Sequence, residues 1–391
     1  MERKKNIWLM CAVALLQGMV FYGSIATLYR RARGVGVFQI TLIESISLLL
    51  CIAFELPWGV IADRIGYKTT LVLCNGLYFL SKLVFWQATG FWWFLLERVM
   101  LSIVIAGLSG VDTSLLYLSC APGDSQKVFG LYDSMGLLGL VAASLVYSGW
   151  IRERYALAAG LTAVTYGIAA LLTLFLTEVR ERTQRSFRLS EYTAILRELL
   201  QDPYRLLFLV GVACLTQSHQ TVTVFLNQLQ YERCGVSPAL MGYLYVGITL
   251  VGVCAAFSAR WTKRLGARRT GAVLPAAGCI ACLVLTATRS AVWSVAGIVL
   301  LRVANSLFQP FQQEWQNRLV RSENRATELS LCAMLVDGVS AGISVLLGAL
   351  ASRRLWAAFL CAGAFCLAGL GLFQLWCART QPDHERKAAI P

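Results

Sequence analysis

The sequence predicts an all-α membrane protein of twelve spanning helices, arranged as two related six-helix bundles. Three observations carry that expectation. The 391-residue chain is 57% hydrophobic and only 14% charged, whereas soluble domains are charged at about a quarter of their positions. Its apolar runs repeatedly reach the roughly 20 residues that a bilayer crossing needs. A polar turn also recurs. Gly59-Val60-Ile61-Ala62-Asp63-Arg64-Ile65-Gly66-Tyr67-Lys68 has a degraded copy 200 positions later, Lys263-Arg264-Leu265-Gly266-Ala267-Arg268-Arg269-Thr270.

The expected spans are 7–29, 37–60, 69–88, 91–119, 127–149, 155–177, 203–229, 238–259, 270–288, 291–314, 327–350 and 354–377. Arg3, Lys4 and Lys5 precede the first apolar run and no small-residue cleavage site follows it, so that run reads as a helix and not a removed leader. The polar stretch 178–202 separates six spans from six. The expected organisation is a bundle over 1–177, a cytoplasmic linker over 178–202, a second bundle over 203–378 and a cytoplasmic tail over 379–391. In the linker Leu189, Tyr192, Ile195, Leu196 and Leu199 recur at helical spacing. Residues 190–200 therefore read either as an amphipathic surface helix or as solvated chain.

The formal net charge of +14 would point to nucleic acid in a soluble protein. Here the bases gather in short loops between apolar runs, and most lie on one side: the N-terminus, the even-numbered loops and the tail. That places both termini in the cytoplasm and excludes a nucleic-acid partner. Arg30-Arg31-x-Arg33 sits on the other side as a local exception and reads as solvated loop, the alternative being attraction of anionic substrates or lipid headgroups. The 13 cysteines fall mainly inside apolar runs and read as small buried side chains. Cys279-x-x-Cys282 lacks a second pair, so no metal and no cofactor is expected.

Duplication covers more than the turn. Leu96-Glu97-Arg98-Val99 with Ser102 matches Leu301-Arg302-Val303 with Ser306, a basic residue in the fourth helix of each half. Internal duplication of this kind is a mark of secondary transporters.

Ionisable groups in the bilayer cost about 2.5–3.5 kcal/mol at a helix centre and usually face a functional interior. The candidates are Glu44, Lys82, Arg98, Asp112, Asp133, His219, Arg302 and Asp337. Glu44 and Arg98 fall at a similar depth in the outer part of spans two and four; Asp112 and Asp133 lie nearer the cytoplasm. His219, Arg302 and Asp337 fall near mid-bilayer. Two pairings follow, Glu44 with Arg98 and Asp337 with Arg302. Each has two readings: a carboxylate that titrates and couples protonation to movement, or a permanent ion pair that fixes packing. Asp112 and Asp133 read as coupling carboxylates or as gate contacts to Arg64 or Lys127. Lys82 and Arg205 read as snorkelling groups. Span seven carries Gln217, Ser218, His219, Gln220, Thr221 and Thr223, and span ten carries Asn305 and Gln309. That polar density suits a cavity lining, with His219 and Asn305 its centre; interhelical hydrogen bonding is the alternative. Phe21, Tyr22, Tyr29, Tyr117 and Phe308 either line the same space or pack. Trp92, Trp93, Trp150 and Trp376 near span ends read as interfacial anchors.

The turn after span two, with Gly59, Asp63, Arg64, Gly66 and Lys68 at its main positions and Glu55-Leu56-Pro57 before it, resembles the signature loop of the major facilitator superfamily. Tyr67 replaces the usual basic residue. Arg98 is similar to the arginine of that family's helix-four motif. The resemblance implies the twelve-helix fold of that family, a functional monomer in the cell membrane, and alternating access. It also implies that the turn is a conformational latch, with Asp63 against the N-terminus of span eleven near Ala326 and Thr327. There the helix dipole favours negative charge by about 0.3–1 kcal/mol. The family's fifth-helix antiporter motif is not met: Gly136-Leu137-Leu138-Gly139-Leu140 lacks its proline and paired glycines.

No G-x-x-x-x-G-K-[ST] loop occurs, which excludes a nucleotide-driven pump. One intramembrane histidine and no serine elbow argue against an enzyme. The expectation is a secondary carrier of a small-molecule substrate, with the proton as coupling ion and membrane lipid as its other contact. Export of small amphipathic organic compounds leads, because acidic residues gather with aromatics. Proton-driven import of a polar nutrient or metabolite is the alternative, favoured by the missing antiporter motif.

Overall fold

The computed structural model describes residues 2–120, 125–179, 189–319 and 325–388. The described residues are helical and contain no strand. Twelve helices are long and apolar enough to span a membrane. In chain order they are α1 (Lys4–Ala32), α2 (Val37–Ile65), α3 (Tyr67–Gln87), α4 (Gly90–Ser119), α5 (Lys127–Ile151), α6 (Tyr155–Thr173), α7 (Pro203–Arg233), α8 (Pro238–Ala255), α9 (Ala267–Ala287), α10 (Ala291–Leu319), α11 (Arg325–Arg353) and α12 (Leu355–Arg379). A separate helix over Leu189–Gln201 precedes α7, which decides the linker reading in favour of a helix there. Asp202 starts α7, its side chain accepting the Tyr204 and Arg205 N–H groups ahead of Pro203 at the first turn.

The chain separates into two compact units. One comprises Met1–Phe187 and Ser237–Val246, the other Arg188–Val236 and Gly247–Pro391. The duplication reappears in the irregularities of the helices. In α1 the regular helix stops at Gly18 and resumes at Ala26 through a 3-10 turn, Gly23–Ile25. About 200 residues on, α7 widens to a π-helical segment, Thr221–Leu226. Pro57 lies inside α2, and the matching stretch of α8 tightens to 3-10 over Gly252–Phe257. Gly110, at φ +78°, breaks α4; Pro310 lies inside α10. Gly66 and Gly266 take φ +93° and +78°, a region that other residues enter only with strain. Broken helices are where transporters of this build place polar groups.

In the first unit α1 and α5 touch backbone to backbone. A Cβ on Gly18 would run into the Gly136 carbonyl, and one on Gly139 into the Leu15 carbonyl. Gly18 and Gly139 therefore serve close helix approach. In the second unit Trp376 is 1% exposed and packs on Phe208, Phe373 and Trp315. Its expected role as an interfacial anchor is thus corrected: it is core. Trp92, Trp93 and Trp150 are exposed, as anchors are.

Candidate functional site

The first unit concentrates charge between α1, α2, α3, α4 and α6. The Arg98 guanidinium of α4 donates to the Glu44 carboxylate of α2, as the sequence predicts. Next to it Ser47 and Ser102 share a hydrogen bond of 2.7 Å, so the two helices meet through a polar seam. The residue before Arg98 forms a second cluster. Glu97 is 1% exposed and lies 3.6 Å from Lys82 and 3.9 Å from Arg30. Lys82 does not snorkel outward: its ammonium faces the rings of Tyr22, Tyr78 and Tyr166 at 6.0, 5.1 and 5.3 Å. Arg30 is not in a solvated loop. It closes the last turn of α1, buried over the rings of Phe85 and Phe94. Oriented rings and a carboxylate replace the water these cations lose.

Phe21, Tyr22 and Tyr29 are buried. Tyr22 and Tyr29 stack on Phe85, so these two belong to the packing of the cluster. Tyr117 is exposed and Phe308 is buried. Asp112 accepts from the Tyr132 hydroxyl at 3.3 Å and from the Thr113 N–H at 2.6 Å, in place of a gate contact to Arg64 or Lys127. Asp133 is exposed.

In the second unit His219 of α7 and Asn305 of α10 are 4% and 2% exposed. The His219 ring faces the Thr223 hydroxyl at 3.4 Å, at the entry to the π-helical segment. Such segments often mark functional positions. Asn305 Oδ1 and Arg302 Nε are buried without a hydrogen-bond partner. Arg302 packs against Gly252 of α8, where a Cβ would lie 2.9 Å from its guanidinium. Asp337 is half-buried on α11. The ion pairs described between side chains include none that joins it to Arg302.

Arg205, expected at the interface, is instead 4% exposed and pairs with Glu328 of α11 at 2.5 Å and with Asp202 at 3.3 Å.

At the turn after α2, Arg64 is exposed and Lys68 half-buried, while Gly66 begins α3. The Tyr67 and Lys68 N–H groups donate to Glu178 at 3.0 and 3.4 Å, so a carboxylate from beyond α6 caps α3. The side chain of Asp63 and the surroundings of Gly59, Ala326 and Thr327 lie outside the described residues, and with them the expected latch contact.

Glu97 and Glu178 are the residues of these polar clusters that sequence reasoning misses. Glu97 carried a signal, being a carboxylate within an apolar run; Glu178 looks like ordinary linker charge.

Twelve apolar helices in two related units, with ion pairs between the spanning helices, define a polytopic membrane protein of the secondary-carrier class. A family model described as Major Facilitator Superfamily matches residues 7–341, and the chain belongs to that family. It is a secondary transporter of that superfamily. Among solved structures it is similar to the nucleoside transporter NupG, with 15% identity, a TM-score of 0.80 and coverage of 95% of this chain and 99% of that one. It is also similar to a bacterial homolog of the human lysosomal transporter Spinster, with 15% identity, TM-score 0.76 and 98% of each chain covered. A D-xylose–proton symporter follows at 12% identity, TM-score 0.73, covering 96% of this chain and 98% of that one. At these identities the likeness shows the fold alone. Curated sequences give no significant match.

Proposed function

We propose that this protein is a proton-coupled carrier that exports small amphipathic organic compounds by alternating access. Residues 1–177 rock as a monomer against 203–378 in the cell membrane, both termini being cytoplasmic. The observation that carries the reading is the Glu44–Arg98 ion pair between α2 and α4. The Glu44 carboxylate is 7% exposed and meets the guanidinium of another spanning helix. Protonation releases Arg98 and frees α2 to move against α4. Asp112 and Asp133 are further candidate coupling carboxylates on α4 and α5. The turn of Gly59, Asp63, Arg64, Gly66 and Lys68 serves as the latch that holds the cytoplasmic side closed.

A second reading, proton-driven import of a polar metabolite, is favoured by α5. Its glycines go into the α1 contact and the antiporter proline is missing. The full chain in liposomes decides between them. Inward-oriented protein under an imposed pH gradient, offered a panel of radiolabelled drugs, sugars, nucleosides and amino acids, moves intact solute out against the proton gradient on the first reading. Uptake running with the proton supports the second. Chemically altered solute, or none moved at any gradient, would remove both.

A further inference from the structure

The two halves differ where they ought to match. In the first, Arg98 is neutralised by Glu44, 54 residues earlier in sequence. In the second, the position 200 residues after Glu44, the offset that relates Gly66 to Gly266, is Leu244, and Ile248 one turn on is apolar too. The duplicated arginine is kept and its carboxylate is not. Arg302 enters none of the ion pairs among the described residues, and its Nε is buried with no hydrogen-bond partner. The fold nevertheless makes room for it. Gly252 stands one turn beyond Ile248, and any side chain there would press on the guanidinium. The surrounding backbone has tightened to 3-10. Asn305, one turn along α10, is 2% exposed with Oδ1 unsatisfied. His219 of α7 is buried within electrostatic reach of Arg302.

A guanidinium held among spanning helices without a protein anion is a receptor for an external one. Its planar donors match a carboxylate or phosphonate in bidentate fashion. We infer that Arg302 is an anion-binding residue, and that the transported compound carries an acidic group seated on Arg302 between α8 and α10. Asn305 takes a hydrogen bond from a donor on the same molecule. The proposal rests on the carrier reading above and narrows its substrate to amphipathic organic anions.

The test is binding, measured apart from transport. Purified full-length protein in detergent is titrated with 4-phenylbutyrate, its neutral isostere 4-phenylbutanol and the cation 4-phenylbutylamine, with thermal unfolding and tryptophan fluorescence as readouts. Phenylbutyrate should shift both saturably, and the alcohol and amine should bind about tenfold or more weaker, the worth of a charge-assisted hydrogen bond. Arg302→Gln should abolish the difference and Arg302→Lys should retain part of it. Ile248→Glu puts a carboxylate on α8 one turn from Gly252, against which Arg302 packs, and should expel the anion while leaving the protein folded. Equal binding of acid and alcohol by the wild-type protein overturns the proposal whatever the variants do; so does undiminished acid binding by folded Arg302→Gln or Ile248→Glu. Charge-blind binding in a protein that still carries solute sinks only this inference. Acid-selective binding in a protein that moves no solute sinks the carrier reading instead.

Discussion

Arg205 Nη1 and Glu328 Oε1 meet at 2.5 Å, with the two residues 4% and 2% exposed, joining the first turn of α7 to the first turn of α11. Asp202 completes the group at 3.3 Å. The start of α7 is thereby bound both to its own N-cap and to a helix more than a hundred residues away. Breaking such a pair strands a buried charge and costs about 3–5 kcal/mol. Glu328→Gln and Arg205→Met should each lower the thermal midpoint of the purified protein. The double variant Arg205→Met with Glu328→Leu should regain much of the loss, because neither charge of the buried pair is left behind and Asp202 keeps the Tyr204 and residue-205 N–H groups it caps. A double variant as unstable as the sum of the singles would contradict this.

The Glu97 cluster predicts an order of effects. Glu97 faces both Lys82 and Arg30, so Glu97→Gln strands two cations, whereas Lys82→Met leaves the Glu97–Arg30 pair standing. Glu97→Gln should therefore be the more damaging, with a loss of about 3–5 kcal/mol. Denaturation of both variants side by side checks the order.

The α1–α5 contact tolerates no added volume. Gly139→Leu drives a side chain into the Leu15 carbonyl, and overpacking against backbone costs about 1–3 kcal/mol or more. The fraction of monodisperse protein after size exclusion should fall sharply. Gly76→Ala, where a Cβ meets nothing within 4 Å, should leave it unchanged.

Glu178 caps α3 from outside the α6 helix. Glu178→Ala removes the acceptor for two N–H groups at a helix N-terminus, worth about 1 kcal/mol. Hydrogen exchange should quicken in the first turn of α3, from Tyr67 to Thr70, with the rest of that helix unaffected.

Much of this was legible in the residues. Span number follows from apolar length, since lipid accepts little else at twenty consecutive positions. The Arg64–Gly66 and Arg264–Gly266 turns announced the duplication, and both glycines do take positive φ. Glu44 and Arg98 could be paired by depth, because α2 and α4 run in the same direction. Depth could not place Asp337 relative to Arg302, as it says nothing about which way a helix faces. Arg30 was misplaced because a basic triplet after an apolar run looks like a loop; only Glu97, three helices on, explains why the helix carries it inward. Trp376 failed for a related reason. A tryptophan near a helix end suits an interface, but Phe208 and Phe373 were there to bury it.

The central claim is that protonation of Glu44 releases Arg98 and drives transport. It is tested most directly by proton movement in liposomes loaded with a pH-sensitive dye. Adding a transported solute to the wild-type protein should start a proton flux in step with solute flux. Glu44→Gln, locked in the protonated form, should still exchange labelled solute for unlabelled while moving no protons. Proton flux that persists unchanged in Glu44→Gln would contradict the account.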